Sequence, residues 1–69
     1  MKTSQQISMA IAFCNTTKSE VASKIGMTRQ NFGMKLKRDT FTREELEQIA
    51  EALGGKFVIY FEFEDGTKI

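Results

Sequence analysis

The chain has 69 residues, 41% of them apolar, and a formal net charge of +1, which by length allows one domain, 1–69, around one small core. It has no histidine and a single cysteine, Cys14, which argues against a disulfide framework, a histidine-activated nucleophile and a conventional zinc site. Its longest apolar runs, Met9 to Cys14 and Phe57 to Phe61, are far too short for a bilayer span, and the start carries no signal-peptide pattern, so a cytoplasmic protein is expected.

Helix starts are written clearly along the chain. Thr3-Ser4-Gln5-Gln6 has the spacing of a capping box, with the Thr3 hydroxyl and the Gln6 side chain reaching orphan amides. Ile7, Ala10, Ile11 and Cys14 follow at helical spacing and predict an apolar face, with Cys14 as a small core side chain. Thr17-Lys18-Ser19-Glu20 is a second box, opening a helix with Val21, Ala22 and Ile25 inward. Gly26 ends that helix, since glycine takes the left-handed conformation without a Cβ penalty. Thr28 caps the next helix, with Met27 and Phe32 placed to staple across the cap. Thr42-Arg43-Glu44-Glu45 is a third box, flanked by the staple pair Phe41 and Leu46. Its helix carries Leu46, Ile49, Ala50 and Leu53 inward and ends at Gly54-Gly55.

Beyond the glycines the period changes from helical to alternating. Residues 56–64 are rich in aromatic and β-branched side chains and predict a strand. Phe57, Ile59, Phe61 and Phe63 fall on one face. Asp65-Gly66 is a turn signal, with only Thr67, Lys68 and Ile69 left to return. A lone strand has unpaired backbone groups on both edges, so the same strand of a second copy is its simplest partner. A chain this short also buries little surface, and association is a common remedy. Phe57, Ile59, Phe61 and Phe63 are therefore expected to form core and dimer interface rather than a base-stacking platform.

Charge is divided along the chain. From Met1 to Thr40 there are seven basic and two acidic residues; from Phe41 to Ile69 there are three basic and seven acidic. Such a division suits a basic end that meets a polyanion and an acidic end that does not. With Phe32 and Leu36 inward on the third helix, 100° per residue puts Gln30, Gly33, Met34 and Lys37 on the opposite side. Arg29, Asn31 and Arg38 flank that stripe. Lys35 alone reads as an ordinary surface lysine. Glu44, Glu45, Glu47 and Glu51 read as a solvated helix face, with carboxylates near a helix start where the dipole favours them.

Only Gly26 and Met27 separate the second helix from the Thr28 cap, so the two helices must cross steeply. The segment Lys18 to Lys37, KSEVASKIGMTRQNFGMKLK, resembles the helix-turn-helix of phage repressors and Cro-like (xenobiotic-response-element) regulators. The likeness is carried by Ala22 inside the second helix, Gly26 at the turn, and apolar Val21, Ile25, Met27 and Phe32. It extends through Phe41 to Gly54, which looks like the fourth helix of such domains. Lys35 stands where many members have a large apolar residue, and the inward role passes to Leu36.

The resemblance implies a mostly α, four-helix repressor-like domain, with its helix-turn-helix at about 18–37 and one C-terminal strand, at about 56–64, paired across a homodimer. It implies a DNA-binding transcription regulator, of the kind found in phages and mobile elements, whose third helix enters the major groove of double-stranded DNA. By position, Arg29 and Gln30 would face base edges, Arg favouring guanine and Gln adenine, with Gly33 and Met34 beside them. Lys18, Ser19, Thr28, Asn31, Lys37 and Arg38 would hold the phosphate backbone. No cofactor, small-molecule ligand or membrane partner is implied. An enzyme is not expected either: no glycine-rich phosphate loop is present, and the paired carboxylates lie on charged faces without an apolar pocket. The alternative is a protein-binding module on the same fold, such as an antitoxin or a phage-encoded inhibitor.

Overall fold

The computed structural model describes residues 2–69 and is mostly helical: α1 Thr3–Phe13, α2 Lys18–Lys24, α3 Arg29–Arg38 and α4 Arg43–Ala52. Threonine caps start three of the four. The Thr17, Thr28 and Thr42 hydroxyls accept from the amides of Glu20, Asn31 and Glu45 at 3.2, 3.1 and 3.2 Å. Only the last is a full reciprocal box, in which the Glu45 carboxylate takes the Thr42 N–H at 2.8 Å. Glu20 turns its carboxylate to the Thr16 hydroxyl instead, at 2.7 Å.

α1 departs from the expected box. Its cap is Lys2, whose N–H donates to the Gln5 side chain at 3.1 Å, and Thr3 is already helical. A lysine side chain has no acceptor atom to give a helix start. The Ser4 amide is met instead by the Asp39 carboxylate at 3.0 Å. Asp39 is the residue that ends α3, at φ +56°, so one side chain ties the end of α3 to the beginning of α1.

The helices end by similar means. Gly26, at φ +73°, follows α2, and the Met27 amide returns to the Ala22 carbonyl at 2.8 Å while the Gly26 amide takes Ser23 at 3.1 Å. That pair of bonds is a Schellman closure and needs the left-handed residue. Gly54 closes α4 in the same way, with Gly55 N–H on the Ala50 carbonyl at 2.9 Å.

All four helices contribute to one core. Ile7 and Ile11 of α1, Val21 and Ala22 of α2, Phe32 of α3 and Ile49 of α4 are buried. Ile25, Met27, Leu36, Phe41, Leu46 and Leu53 pack around them, half-covered. Phe32 is the central piece, with its ring 5.3 Å from that of Phe41 in an edge-to-face contact, a geometry worth about 0.5–1.5 kcal/mol beyond area burial. Cys14 does not join this core. It caps the end of α1 and is exposed, its thiol 3.6 Å from the Leu53 carbonyl.

The C-terminal segment does not make the expected strand over 56–64. Among the described residues the only bridge is Glu62 with Lys68, antiparallel. It belongs to a short hairpin in which Phe61 and Ile69 exchange both backbone bonds, at 2.6 and 2.8 Å, and the Phe63 amide reaches Thr67 at 2.8 Å. Asp65 and Gly66 make the turn, with Asp65 accepting the Thr67 amide at 2.9 Å. The three residues after the turn thus suffice for a return. Among the described residues, 56–60 make no bridge to another segment.

Candidate nucleic-acid interface

The position of Phe32 dictates what α3 shows to solvent. With its ring wholly buried and Leu36 half-buried, the stripe through Gln30, Met34 and Lys37 must face away, at helical spacing of four and then three residues. Arg29, Gln30, Asn31, Gly33, Met34, Lys37 and Arg38 are all exposed, as are Lys18, Ser19 and Thr28. The ten residues singled out in the sequence for this face therefore share access to solvent.

They are not all equally close to one another. Lys18 from the start of α2, with Gly33 and Lys37 from α3, lines one open concavity, whose other wall is Ser4, Gln5, Ser8 and Met9 of α1. The α1 wall has no counterpart in the sequence reading, because nothing local places α1 beside α3. Arg29, Gln30 and Asn31 lie outside this concavity, at the beginning of α3. The Thr28 hydroxyl is already engaged as a cap acceptor, which leaves its proton free to donate outward.

Gly33 has nothing within 4 Å of where a Cβ would stand, and its φ is not in the left-handed region. Neither packing nor backbone conformation requires glycine there, although it costs the helix about 1 kcal/mol relative to alanine.

Electrostatics leave this face positive. Among the described residues the ion pairs are Lys35 with Glu45 at 2.6 Å and Arg43 with Glu47 at 3.4 Å. Lys18, Arg29, Lys37 and Arg38 belong to neither, so their charge is not cancelled by a close carboxylate.

Lys35 is not the plain surface lysine expected. Its side chain is 25% exposed and that of Glu45 is 19%: the stem lies along the core edge and the ammonium joins α3 to the start of α4. Glu45 likewise leaves the solvated acidic face, while Glu44, Glu47 and Glu51 remain exposed on it. The Lys35 ammonium, then the Thr42 amide, hold the Glu45 carboxyl below the ordinary carboxylate range, against a smaller upward push from burial. A depressed folded-state value adds stability that is complete above the ordinary range and is lost as pH falls through the depressed value. Glu45→Gln should therefore be less stable than the parent at neutral pH and converge with it in strong acid. Urea unfolding across pH checks this, and a constant gap between the two curves would refute it.

Of the residues expected at a dimer interface, Phe57 is half-buried and Ile59, Phe61 and Phe63 are exposed. Phe57 and Ile59 border a groove between α1 and α4, with Ala10, Leu46, Ala50 and Leu53 among its apolar lining. Among the described residues no three His, Cys, Asp or Glu side chains gather as metal ligands, and no helix is long and apolar enough to cross a membrane. Comparison of the chain with protein-family models, with curated proteins and with solved structures gives no match.

Proposed function

We propose that this protein is a DNA-binding transcription regulator that works as a homodimer, reading the major groove with α3. The observation that carries the reading is the outward face of α3. Arg29, Gln30, Met34 and Lys37 are exposed there, held by the anchored Phe32, and Lys18 lines the same concavity as Lys37. Arg and Gln side chains supply the bidentate donors and acceptors that distinguish guanine and adenine edges. The unpaired cations Lys18, Lys37 and Arg38, with Ser19, Thr28 and Asn31, would position the protein on phosphates. Gly33 fits as a point of close approach. Two copies joined through the C-terminal segment 56–64 would carry their α3 helices about 34 Å apart, one turn of DNA.

The test is fluorescence anisotropy with a pool of labelled duplexes, followed by selection of the best-bound sequence. Replacing both Arg29 and Gln30 by alanine should cost about 1–3 kcal/mol per lost base contact on that sequence. Gly33→Ala, measured alongside, should stabilise the fold by about 1 kcal/mol and yet bind the duplex more weakly. Absence of binding at low salt, or unchanged affinity in the double variant, would sink the reading. In that case the exposed apolar C-terminal segment favours the second reading, a protein-binding module such as an antitoxin or a phage-encoded inhibitor.

A further inference from the structure

The concavity beside α3 joins side chains from three helices. Lys18 comes from the start of α2, Gly33 and Lys37 from α3, and Ser4, Gln5 and Ser8 from α1. None of its lining residues is acidic, and neither lysine belongs to an ion pair among the described residues. The Asp39 carboxylate, which accepts the Ser4 amide at 3.0 Å, lies outside the lining. Two ammonium groups in a concavity without a carboxylate make it attractive to an anion.

The α1 wall adds neutral donors. Gln5 is exposed, and its side-chain oxygen accepts the Lys2 N–H at 3.1 Å. That bond holds the oxygen at the helix start and leaves the side-chain NH2, with its two hydrogens, to offer outward. Ser4 and Ser8 contribute hydroxyls, which can donate as well. Lysine, amide and hydroxyl donors together are the set that holds phosphate oxygens along DNA.

Shape decides which anion is meant. At about 690 Å³ the concavity has the volume of an ordinary ligand pocket, about 300–1,000 Å³, but it is too open to enclose a small molecule. An open trough fits a strand that passes through it. Gly33 and Lys37 belong at once to this trough and to the outward stripe of α3. A helix about 10–12 Å across fills a major groove about 12 Å wide. Whatever flanks α3 must therefore rest on a sugar–phosphate ridge, and beside Gly33 and Lys37 the flanking surface is the α1 wall.

We propose that the concavity seats a backbone phosphate of the strand bordering the groove that α3 reads, with Ser4, Gln5 and Ser8 donating to it beside Lys18 and Lys37. This rests on the DNA-binding reading above and deepens it: α1, outside the helix-turn-helix, becomes a third element that positions the protein on the duplex. Its contribution is the same on every sequence, because phosphates carry no base identity.

Gln5→Glu separates the two roles of this residue. Gln5 is the third residue of α1, whose first turn has no acidic side chain. A glutamate there still accepts the Lys2 N–H and puts a negative charge where the helix dipole favours it, so the variant should melt no earlier than the parent. Toward a phosphate it presents a like charge and no donor. Anisotropy at low salt should show affinity lower by about 10-fold or more, and by the same factor on the selected duplex and on an unrelated one. Duplexes carrying a single methylphosphonate, which neutralises one phosphate at a time, should reveal a position that weakens the parent and not the variant. A parent that binds no DNA would overturn the DNA-binding reading and the seat together. If the parent binds, then equal binding by Gln5→Glu, a loss confined to the selected duplex, or the absence of such a methylphosphonate position would overturn the seat alone.

Discussion

Phe32→Ala should leave this protein largely unfolded at room temperature. The ring is wholly buried, and removing a buried phenylalanine costs about 3–5 kcal/mol through lost transfer energy and the cavity left behind. A 69-residue chain has about 3–10 kcal/mol in total to lose, at the stability per residue that is general for native proteins. Its fully or nearly buried apolar set is six residues from four helices, so no second core can compensate. The edge-to-face contact with Phe41 goes as well. Urea unfolding followed by far-UV circular dichroism checks the expectation. A cooperative transition with less than about 1 kcal/mol lost would mean that α3 is not anchored as described. Phe32→Leu, which keeps part of the volume, should retain the fold at reduced stability.

The same residue connects fold and function, because it fixes the rotation of α3. A ring on the inner side leaves the stripe through Gln30, Met34 and Lys37 no choice but the outer side. Asp39 and Lys35 then fix the helix end. Asp39 closes α3 and holds the Ser4 amide of α1, and Lys35 holds Glu45 of α4. The proposed reading helix is thus fixed on its inner side by Phe32 in its first turn and tied at its C-terminal end to α1 and α4, while Arg29 and Gln30 stand exposed at its start. A reading face with a fixed base and a solvent-exposed tip suits contact with base edges, where side chains rather than backbone must adjust.

What the sequence disclosed and what it withheld divide along the range of the interactions involved. Thr17, Thr28 and Thr42 were legible as caps because the hydroxyl and its amide lie three residues apart, a spacing set by helix geometry alone. Gly26 and Gly54 were legible for the same reason. The start of α1 was not: its acceptor is Asp39, 35 residues away, and no local pattern contains it. The Lys35–Glu45 pair also depends on how α3 crosses the start of α4, so a lysine on a basic helix read as surface. Cys14 fell on the apolar period but beyond the helix, where the chain turns outward. The alternation in 57–63 was legible, while the ladder was not, because alternation belongs to one chain and a ladder to two neighbours. At the candidate site, the outward stripe of α3 through Gln30, Met34 and Lys37 followed from the placement of Phe32. The shared concavity with Ser4 and Ser8 required the packing of α1 on the other helices.

Salt should govern DNA binding steeply, and its slope should count the cations. Lys18, Lys37 and Arg38 are exposed and outside both ion pairs, and each released phosphate counterion contributes about −0.9 to the slope of log affinity against log salt. A dimer engaging all three residues of each copy makes about six phosphate contacts, for a slope near −5 and a fall of about 10³-fold between 50 and 200 mM salt. One copy acting alone would give a slope of about −3 and a fall of only about 40-fold over the same range. Lys18→Ala should flatten the dimer's slope by about 2, one contact per copy, with little change in sequence preference. The Arg29 and Gln30 replacements should do the reverse, relaxing preference while changing the slope less. The acidic hairpin, with Glu62, Glu64 and Asp65, lies outside this count, since a segment of that charge is repelled by phosphate. Anisotropy titrations at four or so salt concentrations are enough to measure all of these slopes. A slope near zero would exclude phosphate contact by these residues, and a slope near −3 with an intact dimer would mean that only one of the two faces meets DNA.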